Sequence, residues 1–291
     1  MKFATISTLR HTSQPALVID DRVYTLPFPD MYAVMEAGAE AAASKASKDS
    51  LSIDEVKFLS PLKPNTLRDG YAFEQHVMTA NKNRERDVPQ EWYEFPVFYF
   101  TNPNAVFGHD DEIPYPHYTK AMDYELEVAV VIGKGGINIK LEDATSHIFG
   151  YTIFNDWSAR DIQRKEMAVG LGPAKGKDFA SAFGPVIVTH ETLADKATER
   201  PGAYDLAMMA RVNGVEMSRG NFKDMHWSFG EIIARASDSA MLYPGDVIGS
   251  GTVGTGCLLE LTKFKGPWLN HGDIVELEIE RIGILRNKIG S

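Results

Sequence analysis

Three acids stand at alternate positions in DYELEVAVVIG, residues 123–133: Asp123, Glu125 and Glu127, separated by Tyr124 and Leu126. In an extended strand, residues i and i+2 share a face about 6.5–7 Å apart, so Glu125 and Glu127 can converge on one small ion. Oxygen donors suit a hard divalent cation such as Mg²⁺, Mn²⁺ or Ca²⁺. A solvated sheet face has the same spacing, and VELEIERIG, residues 275–283, repeats it with Glu276, Glu278 and Glu280. Partners must separate the two stretches. Asp156, in FNDWSARDIQ, follows an apolar run and precedes an expected helix, where either a metal ligand or an N-cap fits. Arg160 and Gln163 are three apart on that helix and share a face, although Asp161 or Glu166 could also pair with Arg160. LGPAKGKDFA places Lys175 and Lys177 in a Gly-rich loop. There an ammonium beside a metal would stabilise an oxyanion, and a plain solvated lysine fits too. RDGYAFEQH adds Asp69, Tyr71 and His76, the last a natural general base near neutral pH or an ordinary core or surface histidine. The chain has no GK[ST] phosphate loop, and Ser250 in GSGT lacks the Gly-X-Ser-X-Gly setting of a serine hydrolase.

These groups need elements to hold them. The acidic run reads as a strand that starts with one wet face and becomes buried on both, because Ala129–Ile132 contains no polar residue. TLRDGYAFEQHVMTANKNRER reads as a turn and helix, and GYTIFNDWSARDIQRKEM as strand, turn and helix. AFGPVIVTH, DLAMMARVNGVEM, DVIGSGTVGTG, CLLELTKF and IVELEIERIGIL are strand candidates divided by Gly, Asn, Pro and Asp turns. The expected class is α+β, mainly β, with a roll, barrel or sandwich over residues 61–291. Residues 1–60 read as a small N-terminal α/β domain. It would hold three short β-type runs (FATIS, PALVIDD, RVYTLP), an Ala-rich helix and the extended exit EVKFLSPLKPN. Between 87 and 118 lie nine Phe, Tyr or Trp residues among prolines and turn formers. They could line an outer pocket, or serve as core and dimer interface.

Bulk properties exclude some classes. Thirty Lys+Arg against forty Asp+Glu gives a formal charge of −10, a poor match for nucleic acid or an anionic membrane surface. No apolar run approaches the ~20 residues of a membrane helix. Arg10 and His11 interrupt the region where a signal peptide would be apolar. The single cysteine, Cys257, excludes an intrachain disulfide and argues against a Cys-based metal site. A soluble cytoplasmic protein is expected.

Taken in order, DYELEVAVVIGKGGINI, GYTIFNDWSARDIQ, LGPAKGKDFA and DVIGSGTVGTG resemble the fumarylacetoacetate hydrolase family over about residues 61–291. NDWSARDIQ is the most specific block, and residues 1–60 resemble, more loosely, the small extra domain of longer members. The resemblance implies a mixed β-roll catalytic domain, a homodimer, a Mg²⁺-type metal and a small keto-acid or diketone substrate. Glu125, Glu127 and Asp156 match the family's metal ligands, and Asp69 a fourth ligand of the fumarylacetoacetate hydrolase branch. His76 matches the general base and Glu260, in LLEL, the acid that orients it. Arg160, Gln163 and Lys177 match substrate-stabilising residues, and Tyr71 and Thr252 substrate contacts. On this mapping VELEIERIG is ordinary sheet. The expected reaction is hydrolysis of a C–C bond in a 1,3-dicarbonyl compound, with decarboxylation or tautomerisation of an oxaloacetate-like keto acid as the alternative. Two departures stand out. Neither Arg84 nor Arg86 aligns with the family's substrate-binding arginine without a one-residue shift, and the stretch from GSGT to LLEL is shorter.

Overall fold

The computed structural model describes residues 1–9, 11–83 and 85–290. Its organising element is the strand Glu127–Ile132. Val128, Val130 and Ile132 enter one apolar core, while Ala129 and Val131 enter the other. A strand covered on both faces needs an apolar residue at every position, which accounts for the uninterrupted run. Its antiparallel neighbours are Ile148–Asp156, with Phe154 opposite Glu127, and Val247–Gly249, with Gly249 opposite Ala129. Val247–Gly249 in turn pairs in parallel with Leu67–Gly70, which pairs with Phe98–Thr101.

On the other side, Ile148–Asp156 pairs with Ile187–Thr189, and that strand pairs with Lys2–Ser7. The strands of residues 1–60 therefore continue the same thirteen-stranded sheet. Met31, Val34 and Met35 of the helix Met31–Ala37 pack into a core with Phe3, Leu17 and Phe149. A five-stranded sheet built on Ala207–Val212, Ile274–Ile279 and Gly283–Ile289 covers the opposite face through Met208, Leu277 and Leu285. The helix Phe229–Ser237 joins that layer, started by a Ser228–Glu231 capping box. The fold is thus mixed and sheet-dominated with some helices, and no barrel closes among the described residues.

Several local expectations are corrected. Residues 123–133 do not form one strand: Met122–Asp123 pairs with Ser158–Ala159, and the large sheet begins only at Glu127. Nor is there a wet face, since Asp123 and Glu127 are 0% exposed and Glu125 5%. The acids point inward, and the backbone N–H groups of Glu125 and Leu126 are satisfied off the ladder by Asn155 Oδ1 and the Gly256 carbonyl. CLLELTKF contains a helical turn, Leu258–Leu261, not a strand. The Asp123 carboxylate accepts from the Leu258 and Leu259 N–H groups, as a capping residue would. RDGYAFEQH starts inside a strand, Leu67–Gly70, before the helix Glu74–Lys82. The second acidic alternation lies on the five-stranded sheet, where Glu278 pairs with Arg211 and Glu280 with Lys196 at the half-exposed outer surface. No described helix is long and apolar enough to cross a membrane.

Candidate active site

Sheet edges and one tight turn bring four carboxylates together. Asp69 comes from Leu67–Gly70, Glu127 opens its strand, Glu125 precedes it by two, and Asp156 ends Ile148–Asp156. Asp69, Glu125 and Asp156 each place a ligand oxygen within 4.8 Å of the others. The Gly251 N–H donates to Asp69 Oδ1 and to Glu127 Oε2, both at 3.1 Å. Gly251 has φ +76°, and a Cβ there would lie 2.7 Å from the Gly70 carbonyl oxygen. Only glycine can turn the chain so that this N–H reaches both acids. Thr252 Oγ1 donates to Glu127 Oε1 at 3.4 Å, and the Tyr99 hydroxyl donates to Asp156 Oδ2.

The cluster is buried and short of positive charge. Lys177 Nζ lies 2.5 Å from Glu125 Oε2 and 2.7 Å from Asp156 Oδ2. Burial opposes ionisation of Glu125, but Lys177 and Arg160 outweigh it and hold its carboxyl well below the usual range. Asp69 goes the other way: burial, and then the Asp156 charge, push it up to about 8. Burial with Asp69 and Glu125 nearby likewise pushes Glu127 well up. Asp69 and Glu127 are held side by side by the one Gly251 N–H that both accept from. Asp156 Oδ1 is buried with no hydrogen-bond partner. An all-oxygen donor set with an orphaned carboxylate oxygen fits a hard divalent cation.

Arg160, the first residue of the helix Arg160–Val169, reaches back into this cluster. Its Nε donates to Asp123 Oδ2 (2.8 Å), Nη2 to Glu125 Oε1 (2.9 Å) and Nη1 to Gln163 Oε1 (3.0 Å). The surface pairings open to it in the sequence are not used. Asp161 accepts from Thr119, and Glu166 from the N–H groups of Ala174, Lys175 and Gly176. Asp156 is no N-cap either, because the helix starts after Ala159. The two loop lysines differ: Lys177 is 3% exposed, while Lys175 sits outside against Asp178.

A cavity of about 270 Å³ opens onto these groups. Asp69, Tyr71, His76, Glu125, Arg160, Gln163, Lys177 and Thr252 border it, and Glu127, Asp156 and Glu260 stand directly behind. His76 Nδ1 lies 2.9 Å from Glu260 Oε2 without being aligned as a hydrogen bond, and Tyr71 meets the imidazole edge-on at 5.3 Å. All eleven residues singled out in the sequence therefore converge. Arg86 does not, as it lies in a separate surface depression with Glu85 and Asp87; Arg84 lies outside the described residues. Sequence reasoning did not single out Tyr99, Asn155 or the Gly251 N–H, and it gave Asp123 no role of its own. Tyr99 faces the site because it sits opposite Asp69 in the sheet, a register that only long-range pairing sets.

Known proteins resemble this chain in sequence and fold. Residues 65–290 match the family model described as fumarylacetoacetate (FAA) hydrolase, C-terminal. The chain is 36% identical over 247 residues to the oxaloacetate tautomerase YisK of Bacillus subtilis (strain 168), covering 82% of this chain and 75% of that one. It is 34% identical over 240 residues to the human mitochondrial oxaloacetate tautomerase FAHD2A, covering 81% and 70%. Among solved structures, a fumarylacetoacetate hydrolase from the psychrophile Exiguobacterium antarcticum superposes with a TM-score of 0.80 at 26% identity, covering 100% of this chain and 99% of that one. A 5-carboxymethyl-2-hydroxymuconate delta-isomerase from Mycobacterium smegmatis gives 0.75 at 25% identity, with the same coverage.

Proposed function

The chain belongs to the fumarylacetoacetate hydrolase family, and on that premise we propose that it hydrolyses a C–C bond in a small 1,3-dicarbonyl acid of the acylpyruvate type. The observation that carries this reading is the buried His76–Glu260 pair at the wall of the cavity that the acids border. Such a pair can take a proton from water, which C–C hydrolysis requires. Glu125, Glu127 and Asp156, with Asp69 as a fourth, would hold a divalent cation of the Mg²⁺, Mn²⁺ or Ca²⁺ kind. Bound there, it supplies Lewis-acid polarisation of the substrate's oxygens.

In this scheme Glu260 orients the imidazole, and His76 removes a proton as water oxygen attacks the carbonyl. Lys177 and Arg160, the latter held by Gln163 and Asp123, offer N–H donors to the oxygen that gains negative charge. The C–C bond then breaks, and the departing carbon takes the proton that His76 holds, giving one carboxylic acid and one ketone. Tyr71 and Thr252 hold the substrate's other end. Phe98, Met167 and Leu259 on the cavity wall favour an apolar or aromatic acyl group. A homodimer is part of the proposal, tested by light scattering.

The resemblance to oxaloacetate tautomerases supports a second reading, in which His76 or Lys177 shuttles a proton between carbon and oxygen and no water is split. One experiment separates the two. The protein is assayed with Mg²⁺ or Mn²⁺, and with EDTA as control, against acylpyruvates, fumarylacetoacetate, an aromatic β-diketone and oxaloacetate, with products followed by mass. Two fragments carrying solvent oxygen support hydrolysis. Interconversion of enol and keto oxaloacetate without fragmentation would replace hydrolysis by tautomerisation, and carbon dioxide from oxaloacetate alone would replace it by decarboxylation.

A further inference from the structure

Beside the four carboxylates, His76 belongs to a second set of donors of different chemistry. Cys257, Glu260 and His76 each place one ligand atom within 4.8 Å of the other two, and all three side chains are buried. Cys257 Sγ lies 3.7 Å from Glu260 Oε2, and His76 Nδ1 lies 2.9 Å from the same oxygen. In a tetrahedral site with bonds of about 2.3 Å to sulfur and about 2.0 Å to nitrogen or oxygen, neighbouring donors stand roughly 3.3–3.5 Å apart. Both contacts lie within a few tenths of an ångström of that spacing. Two of the donors are also underused, since His76 Nδ1 and Glu260 Oε1 are buried polar atoms without a hydrogen-bond partner.

We propose that Cys257, Glu260 and His76 form a soft-metal site for Zn²⁺, separate from the hard-cation site, and that zinc bound there inhibits the enzyme by taking the histidine. Sulfur, imidazole and one carboxylate are zinc ligands, whereas Mg²⁺ and Ca²⁺ prefer oxygen alone. Three protein ligands leave the fourth position of a tetrahedral site for water or another small donor. The charge balances. Zinc brings two positive charges, Glu260 one negative, and Cys257 a second once its thiol proton passes to solvent as the Zn–S bond forms. No electron is transferred. A neutral site tolerates burial where a lone thiolate does not. Burial pushes the free Cys257 thiol well up, so without zinc the cysteine is a neutral neighbour of the dyad.

The binding half of this inference is independent of the reaction catalysed; only the inhibitory half rests on the proposed role of His76. The test uses the full chain saturated with Mg²⁺, titrated with Co²⁺ and then with Zn²⁺. A cobalt–thiolate charge-transfer band in the near ultraviolet is expected, removed by one equivalent of Zn²⁺. Because the chain has one cysteine, the band reports this site alone. Cys257→Ser should bind one fewer equivalent of Zn²⁺ and escape zinc inhibition. Absence of the band at saturating Co²⁺ overturns the proposal, as does an unchanged zinc stoichiometry in the folded Cys257→Ser protein. Zinc inhibition that persists in that variant would place the ion at the carboxylates and overturn the inhibitory half. The band is read on the natural chain, so it decides the matter whether or not the variant folds. A band in a protein that fails the hydrolysis assay would keep the site and remove only the reading of the reaction.

Discussion

Replacing Asp123 tests how the site is tied to the fold. Its carboxylate is fully buried and accepts from Arg160 Nε (2.8 Å), Leu258 N (2.8 Å) and Leu259 N (3.0 Å). One side chain thus holds both the guanidinium facing the cavity and the helical turn that carries Glu260. Asp123→Ala leaves Arg160 with Glu125 as its only carboxylate partner among the described residues and strands two backbone N–H groups. Breaking a buried ion pair costs about 3–5 kcal/mol, and each stranded N–H adds roughly 1–3 kcal/mol before relaxation. At about 2–4 °C per kcal/mol for large domains, Tm should fall by about 10 °C at the low end of these costs and further at the high end. Asp123→Asn keeps one acceptor oxygen but no charge, and should lose roughly half as much. Thermal and urea unfolding with EDTA, and again with saturating Mg²⁺, measure this. The loss should be the same in both conditions, because Asp123 is not placed among the ligands. In the Asn variant kcat should fall while Mg²⁺ affinity holds. A loss below about 1 kcal/mol, or one that Mg²⁺ abolishes, would refute the reasoning.

Mg²⁺ at a hundred times its Kd should stabilise the natural chain by about 2.7 kcal/mol. Glu125→Gln or Asp156→Asn should remove both that gain and turnover, and a retained Mg²⁺ shift would dismiss the carboxylate site. His76→Ala should keep the Mg²⁺ shift and lower hydrolysis by about 10²–10⁴; full activity would end the water-activation scheme. Gly251→Ala, forced to φ +76° with its Cβ 2.7 Å from the Gly70 carbonyl, should cost about 1–3 kcal/mol and weaken Mg²⁺ binding, both visible in the same thermal scans. Tyr99→Phe removes the donor to Asp156 and should cost about 1 kcal/mol, with a change in Mg²⁺ affinity measured by calorimetry.

Residue types and short spacings gave most of the site. Glu125 and Glu127 are two apart and Arg160 and Gln163 share one helix, residue type flagged Asp69, His76 and Lys177 as well, and the family pattern gave these their roles and supplied Glu260. Residues whose placement depends on pairing across the sheet stayed hidden. Tyr99 looked like one aromatic among nine, and Asp123 like one acid of three. The alternation at 123–127 suggested a wet face, because polarity alone cannot distinguish solvent from a charged cavity. Glu260 read as strand because LLEL is apolar on either side, whereas the cap that makes it helical comes from residue 123, far away in sequence. The two acidic alternations were separable only by partners, Lys177 and Arg160 for one, Arg211 and Lys196 for the other.

The pairing of Lys2–Ser7 with Ile187–Thr189 bears on how the chain acquires its structure. Lys2–Ser7 has a partner that is synthesised some 185 positions later. Until then it can form its local meander with Gln14–Ile19 and Arg22–Thr25 and a two-residue pairing of Ile6 and Ser7 with Phe58 and Lys57, which leaves the Lys2–Phe3 part of its second hydrogen-bonding edge open. Loop closure over such a span is slow because its entropy is lost before the contacts form, and an open edge invites pairing with other chains. Crowding of nascent chains at high expression should therefore select against this protein at the first strand, and lowering the synthesis rate should recover more soluble material than stabilising the finished fold would.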